Sequence, residues 1–163
     1  MIDNKPVTYE NLLARRGAPW TFDAKACISA FSQARRDGEA SLPIYSRKLS
    51  DPVPDGVTLS KKNRVVLLEG NYLLAFGDEL YGWAGMKDVR FDEKWFVECT
   101  SMEEQRERLI NRHLETWTDE KTKMFGAAGR EGAAIKADSN DALNAEWVAN
   151  ASKEHADLRI VNI

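Results

Sequence analysis

The sequence predicts an α/β fold built on a parallel β-sheet. Three short apolar segments have the length of buried strands, and segments with helical spacing of apolar residues lie between them. Strands that alternate with helices along a chain are typical of a parallel sheet covered by helices. At 163 residues the chain has the length of one domain, so we expect a single domain over residues 1–163.

The first predicted helix begins after Asp23 and ends before Gly38. Asp23 is a suitable N-cap residue, and glycine is the common residue just beyond a helix C-terminus. Apolar residues recur between them at helical spacing: Ala24, Cys27, Ile28, Phe31 and Ala34. This segment is predicted to be an amphipathic helix.

The first predicted strand is the apolar run Val65–Leu68, which comes just before Glu69 and Gly70. A continuous apolar run of this length is expected of a strand that is buried on both faces of a sheet. The second predicted strand is Trp95–Val97.

A helix is predicted directly after the second strand. Ser101 and Glu104 have the spacing of a capping box, and apolar residues continue from there as far as Trp117. A later helix contains Leu143, Trp147 and Val148, and it precedes the third predicted strand, Leu158–Val161.

Composition excludes several classes of function. The net charge of −3 and the isoelectric point near 5.5 do not favour nucleic-acid binding, which needs a clustered basic surface. No apolar run approaches the roughly 18 residues that span a bilayer. Cys27 and Cys99 form no CxxC motif, and residues 1–10 lack the apolar segment of a secretory signal. We therefore expect a cytoplasmic protein that binds a small molecule.

Two positions have the chemistry of a functional site. Glu69 follows a predicted strand, at the edge where parallel sheets bind ligands, although a helix-capping carboxylate is an equal alternative. Arg108 and Arg112 lie four residues apart on one helix face, where they would bind phosphoryl oxygens. The alternative for these arginines is ordinary surface pairing with Glu104 and Glu107.

Other residues favour structural roles. His113 lies on the apolar side of its helix and is expected to be a packed core histidine. Gly126, Gly129 and Gly132 are expected to form a hinge between two helices, because neither GxxxxGK[ST] nor GxGxxG occurs in the chain. Arg15 and Arg16 open a basic turn ahead of the first predicted helix.

Seven segments in order resemble the uridine kinase, phosphoribulokinase and pantothenate kinase superfamily of P-loop kinases. They span most of the chain: residues 15–23, 43–46, 51–53, 69–74, 91–97, 108–113 and 139–144. The resemblance implies a three-layer fold with helices on both faces of a parallel sheet and a helical lid at about residues 106–145. It also implies transfer of the γ-phosphoryl group of ATP, with Mg²⁺, to a hydroxyl of a small metabolite such as a nucleoside, pantothenate or a sugar.

The same resemblance assigns roles to individual residues. It implies that Tyr45, Arg47 and Asp51 line the acceptor pocket, with Arg16 at its entrance. Glu69 would lie at the pocket floor near the metal.

In the lid, the resemblance implies that Arg112 stabilises the charge of the transferred group, with Arg108 in support. Asn140 and Asn144 match polar residues on the lid side of the nucleotide or the acceptor.

The chain departs from this family in lacking the Walker A loop, the first strands and the strand that carries the catalytic base. We therefore expect an N-terminally truncated kinase that is nearly inactive alone, because the missing groups carry most of the electrostatic catalysis. The missing strand would leave an open sheet edge that a partner chain or a second copy covers. The alternative function is a non-catalytic metabolite-binding or regulatory protein derived from the kinase fold.

Overall fold

The computed structural model describes residues 8–46, 48–49 and 51–162 of the chain. They form two compact units. The terminal unit comprises the described residues up to Phe22 together with those from Lys94 onward, and the middle unit is Asp23–Glu93. The predicted lid, residues 106–145, belongs entirely to the terminal unit. The single-domain organisation stays a prediction.

The chain is an α/β protein, as the sequence predicts. Its α-helices are α1 (Tyr9–Ala14), α2 (Ala24–Asp37), α3 (Met102–Glu115), α4 (Asp119–Phe125), α5 (Gly129–Lys136) and α6 (Ala142–Ser152). Its strands are β1 (Ala40–Ser46), β2 (Asp51–Leu59), β3 (Trp95–Cys99) and β4 (Leu158–Asn162). Short 3₁₀ helices cover Pro19–Thr21, Trp83–Asp88 and Lys153–His155.

In the middle unit, α2 has the predicted ends. The Asp23 carboxylate accepts a hydrogen bond from the Ala26 N–H at 2.8 Å, so it caps the first turn. Gly38 ends the helix in the left-handed conformation, with φ of 73°. The helix packs against the 3₁₀ helix Trp83–Asp88, whose Trp83 and Met86 are buried. Both predicted ends of this helix are confirmed.

The middle unit also contains a β-hairpin that the sequence did not predict. Strands β1 and β2 pair antiparallel, from Ala40 opposite Leu59 to Ser46 opposite Asp51. Three prolines and a register irregularity between Leu42 and Ile44 conceal the alternating pattern that normally indicates such strands.

The predicted strand Val65–Leu68 is wrong. The segment has no regular secondary structure, and Val65 and Leu67 are 85% and 80% exposed. A strand is stabilised by hydrogen bonds to a neighbouring strand, and no strand of the described residues pairs with this segment. Glu69 therefore lies in an exposed loop instead of at the end of a sheet strand.

In the terminal unit, the predicted strands β3 and β4 pair in parallel, with Trp95 opposite Leu158 and Cys99 opposite Asn162. Lys94 fixes the start of the pair, because its N–H and its ammonium both donate to the Asp157 carboxylate, at 2.9 and 2.8 Å. Both predicted strands and their parallel direction are confirmed, and the structure adds that they are neighbours although they lie 63 residues apart in sequence.

The predicted N-cap residue Ser101 opens α3, whereas the Glu104 carboxylate, the other half of the predicted capping box, pairs with Arg108. The Ser101 hydroxyl accepts a hydrogen bond from the Glu104 N–H at 3.1 Å. Ile110 is buried against Ala133 and Ala137, and partly buried apolar residues surround this cluster: Leu109, Leu114, Trp117 and Ala134. The helix ends at Glu115, two residues before the predicted end at Trp117.

The three lid glycines do not all belong to a hinge. Gly126 ends α4 with a φ of 75°, and Gly129 is the first residue of α5. Gly132 is buried inside α5 against Trp117 and Ala127, so close packing is the reason for its small size. The hinge interpretation is wrong for Gly132.

Helix α5 continues into α6 through one π-helical turn, Ala137–Asp141. The Ala142 N–H bonds to the Ala137 carbonyl five residues earlier, which is the π pattern. Within the described residues, no helix combines the length and apolarity needed to cross a bilayer. Cys27 and Cys99 are free thiols, and burial raises the pKa of Cys27.

Candidate functional site

A polar network crosses the terminal unit beside the π-helical turn. One side of it is the Arg15 guanidinium, whose Nη1 donates to the Asn140 side-chain and backbone oxygens at 2.5 and 3.2 Å. Nη2 of Arg15 donates to the Asn144 Oδ1 at 3.3 Å. Asn140 and Asn144 are both buried, so this arginine provides hydrogen bonds to buried amide oxygens. The polar network consists of Arg15, His113, Lys136, Asn140, Asp141 and Asn144.

The other side of the polar network is centred on His113, which is 6% exposed. Its Nε2 lies 2.5 Å from Oδ2 of Asp141, and its Nδ1 lies 3.2 Å from Nζ of Lys136. A carboxylate only accepts and an ammonium only donates, so Nε2 carries the proton and Nδ1 accepts. Asn140 joins the two sides, because its Nδ2 donates to Oδ1 of Asp141 at 3.4 Å.

The electrostatics of this cluster favour a neutral histidine. Burial is the main cause that lowers the pKa of His113; Asp141 opposes it, and the Lys136 and Arg112 charges add to it. Burial also lowers the pKa of Lys136, and the neighbouring Lys121 and Arg112 charges lower it further against the effect of Asp141. The charges that act on Lys136 are thus those of one carboxylate, Asp141, and two cations, Lys121 and Arg112.

The arginines of α3 differ in their partners. Arg106 forms a two-pronged ion pair with Asp138, at 2.6 and 2.9 Å. Arg108 pairs with Glu104 at 2.5 Å, which is the surface pair that the sequence offered as the alternative. Arg112 is exposed and forms no hydrogen bond or ion pair with any residue that the structure describes. Arg112 is thus available to a ligand.

Three predicted site residues lie together in the terminal unit. The Asn140 amide donates to the backbone oxygen of Arg16 at 3.4 Å, and Asn144 donates to Oδ1 of Asn140 at the same distance. The sequence predicted Arg16, Asn140 and Asn144 separately, on segments more than 120 residues apart.

The predicted acceptor residues belong to the middle unit. Tyr45 and Asp51 lie at the end of the hairpin where β1 leads into β2, with Tyr45 opposite Pro52 and Ser46 opposite Asp51. Both side chains are exposed, and so is Glu69. Arg47 lies outside the described residues.

Sequence inspection missed three members of the polar network. Arg15 was noticed only as part of a basic turn, although it and not Arg16 provides the guanidinium that holds both asparagines. Asp141 follows Asn140 directly, and this run of polar residues was the only signal available. Nothing local indicates Lys136, because its partner His113 lies on another helix.

No group of three or more acidic, histidine or cysteine side chains with metal-site geometry occurs in the ranges that the structure describes. Mg²⁺ bound with a nucleotide does not require such a group, since one or two carboxylates with phosphate oxygens and waters are sufficient. A single exposed carboxylate such as Glu69 is compatible with that arrangement and does not by itself define a metal site.

Several curated proteins with sequences similar to this chain are named as kinases. The chain is 31% identical over 142 residues to a candidate uridine kinase of Schizosaccharomyces pombe, covering 85% of this chain and 54% of that protein. It is 34% identical over 105 residues to an ATP-dependent kinase-like protein of Aspergillus versicolor, covering 61% and 58%. A pantothenate kinase of Mycolicibacterium smegmatis is 28% identical, covering 58% and 33%. The chain thus spans about half the length of its first two relatives.

Solved structures agree with the sequence relatives. A candidate fructose transport system kinase from Silicibacter sp. TM1040 superposes with a TM-score of 0.73 and 26% identity, covering 91% of this chain and 65% of that one. Saccharomyces cerevisiae YFH7, described as a candidate P-loop kinase with a circular permutation, shares the fold with a TM-score of 0.71 at 22% identity, covering 94% and 52%. No protein-family model matches the chain.

Proposed function

Because the chain is related to the P-loop kinases of the uridine kinase and pantothenate kinase type, we propose that it takes part in ATP-dependent phosphorylation of a small metabolite. The acceptor is a hydroxyl group. The names of the relatives include a nucleoside, pantothenate and a sugar, and each of these compounds carries such a group. The cytoplasm, where ATP and these acceptors occur, is the proposed location.

The main observation in support of this proposal is that Arg112 is exposed and has no carboxylate partner among the described residues. Two other arginines of the same helix, Arg106 and Arg108, are neutralised by carboxylates, whereas Arg112 has no such partner among the described residues. A guanidinium that is exposed and unpaired can bind phosphoryl oxygens through two parallel hydrogen bonds. Its role is to stabilise the charge that develops on the transferred group.

The remaining roles follow from the resemblance. Arg108 supports Arg112 once it is released from Glu104. Asn140 and Asn144, which are buried in the polar network, hold the lid side of the nucleotide or acceptor site in place. Tyr45 and Asp51 bind the acceptor together with Arg47, and Arg16 borders its entrance. Glu69 contributes one ligand to Mg²⁺. ATP, when bound, supplies the phosphoryl group.

A second candidate is a non-catalytic protein that binds the metabolite. It is favoured by one observation: the printed sequence contains no GxxxxGK[ST] segment, whose backbone and lysine hold the phosphates of ATP in P-loop kinases. We propose accordingly that the 163 residues alone transfer phosphate slowly or not at all.

The test is a direct search for product. The protein expressed from its complete gene and the printed chain are each incubated with ATP, Mg²⁺ and one acceptor: uridine, pantothenate, fructose or nicotinamide riboside. Mass spectrometry then detects any acceptor that has gained a phosphoryl group. We expect one acceptor to be phosphorylated by the complete gene product, at a rate at least about a hundredfold above that of the printed chain.

Calorimetry on the same acceptors separates the two candidates. If an acceptor binds but neither protein yields a phosphorylated product, the kinase proposal is contradicted and the binding function is supported.

A further inference from the structure

The amino group of Lys136 is half-buried, and no carboxylate of the described residues forms an ion pair with it. Lys136 is the last residue of α5, and its Nζ donates a hydrogen bond to Nδ1 of His113 at 3.2 Å. None of the ion pairs within the described ranges includes it. An ammonium has three N–H donors, so two of them are left for another acceptor.

The one carboxylate close to this ammonium is already engaged. Oδ2 of Asp141 accepts from Nε2 of His113 at 2.5 Å, and Oδ1 of Asp141 accepts from Asn140 at 3.4 Å. Asp141 therefore orients the histidine and does not pair directly with Lys136. The hydrogen-bond acceptor for the Lys136 ammonium is therefore the uncharged Nδ1 of His113.

The other charged neighbours have the same sign as Lys136. Arg112 and Lys121 lie near enough to lower its pKa, and both are cations. The Lys121 ammonium donates to the Thr116 backbone oxygen at 2.5 Å and to the Thr116 hydroxyl at 3.1 Å, and it forms no ion pair with a carboxylate of the described residues.

Partial burial of an ammonium is costly unless an anion or several acceptors compensate it. Lys136 contacts His113, which directly follows Arg112 on α3, and the charges of Arg112 and Lys121 both act on the Lys136 ammonium. An arrangement of this kind is most stable when an external anion with several oxygens lies between the cations.

We propose that Lys136 and Arg112 form a phosphate-binding site in the terminal unit, with His113 and Asp141 as residues that position the Lys136 ammonium. The ligand is a phosphate group, carried by a nucleotide or by a phosphorylated product. This inference extends the proposed function by adding Lys136 as a second cation that acts with Arg112. The identity of the phosphate compound rests on the proposed function.

Inorganic pyrophosphate is the probe, because it presents phosphate oxygens without a base, a sugar or an acceptor. Its dissociation constant is measured by isothermal titration calorimetry for the unmodified chain, Lys136→Met and Lys123→Met. Lys123 is an exposed lysine of α4, so its replacement removes the same charge from the same unit. We expect Lys136→Met to weaken binding by about tenfold or more, and Lys123→Met by less than about twofold.

Two further variants make the result decisive. Lys136→Gln removes the charge with a polar side chain and replaces Lys136→Met if circular dichroism shows that the methionine variant is unfolded. Lys136→Arg keeps the charge and is expected to retain most of the affinity. Equal affinity of the unmodified chain and the charge-removing variant, or no heat of binding from the unmodified chain, would overturn the site.

The pyrophosphate measurement requires neither turnover nor an acceptor, so its result does not depend on whether the proposed function is correct. Lys136-dependent binding without any phosphorylated acceptor would keep the site and remove the kinase proposal. Phosphorylation of an acceptor with unaltered pyrophosphate affinity in Lys136→Met would do the reverse.

Discussion

His113 connects a carboxylate to an ammonium through the two nitrogens of one ring. Asp141 fixes the proton on Nε2, and the lone pair on Nδ1 then faces Lys136. This geometry requires the neutral ring, because a proton on Nδ1 would confront the Lys136 ammonium. Burial lowers the pKa of His113 and so keeps the ring neutral at physiological pH.

The lowered pKa predicts how stability changes with pH. His113 in the unfolded chain takes up a proton near its ordinary pKa of 6.5, whereas the folded protein takes it up only at a lower pH. The contribution of His113 to the free energy of unfolding is therefore complete above about pH 6.5 and declines as the pH falls towards the folded pKa. Urea unfolding between about pH 7.5 and pH 5 measures this decline.

The matched variants are His113→Gln and His155→Gln. We expect the decline to be smaller in His113→Gln and unchanged in His155→Gln. Asp138 and Asp157 have their pKa lowered by hydrogen bonds from Arg106 and Lys94. Their contribution to the free energy of unfolding is therefore lost only at more acidic pH, and this loss is the same in all variants. An identical pH dependence in His113→Gln and the unmodified protein would show that this histidine does not titrate as described.

At the scale of elements, the π-helical turn Ala137–Asp141 positions three side chains for three different partners. Asp138 pairs with Arg106, Asn140 accepts from Arg15, and Asp141 accepts from His113. Each partner lies on another segment of the terminal unit. Such turns occur frequently at functional sites, and here the turn assembles the polar network.

Helix α5 packs so closely that Gly132 has no room for a side chain. A Cβ atom there would overlap the Ala127 carbonyl oxygen and lie 2.5 Å from Cζ2 of Trp117. Glycine to alanine inside a helix normally stabilises by about 1 kcal/mol, but this overlap reverses the sign.

We therefore expect Gly132→Ala to lower the free energy of unfolding by about 1–3 kcal/mol in urea titrations. Glu131→Ala, at the preceding exposed position, is the control and should change it by less than about 0.5 kcal/mol. A Gly132→Ala variant as stable as the unmodified protein would mean that this contact is not close.

The elements that the sequence predicted correctly are those with local signals. The Asp23 cap, the Gly38 terminus and the Ser101 cap act within one helical turn, so neighbouring residues alone identify them. The Val65–Leu68 run has the composition of a strand, but a strand also needs a neighbour, which composition cannot supply. The π-helical turn was not predictable either, since contacts with distant residues hold it.

The same distinction applies to the candidate site. Arg112 was predicted from its spacing and its resemblance, and its lack of a carboxylate partner among the described residues was visible only in the structure. Lys136 was missed because its significance depends on His113, which lies 23 residues away in sequence.

At the scale of the whole molecule, the proposed roles separate between the two units. Residues of the terminal unit, with Arg112 foremost, are proposed to contact the phosphoryl group, whereas Tyr45 and Asp51 of the middle unit are proposed to bind the acceptor. A change at Arg112 should consequently affect the chemical step more than the binding of the acceptor. This separation is the central claim. Because the relatives are about twice as long as the chain, we propose to test it in the protein expressed from the complete gene.

The most direct test is steady-state kinetics of Arg112→Ala in the complete gene product, with the acceptor that the product search identifies. Arg130→Ala is the control, because Arg130 is an exposed arginine of α5 whose partners are Glu107 and Asn111. The account predicts that Arg112→Ala lowers kcat by about a hundredfold to a thousandfold, with the acceptor KM within about threefold of the original, and that Arg130→Ala leaves both nearly unchanged. An unchanged kcat in Arg112→Ala, or a rise in the acceptor KM alone, would contradict it.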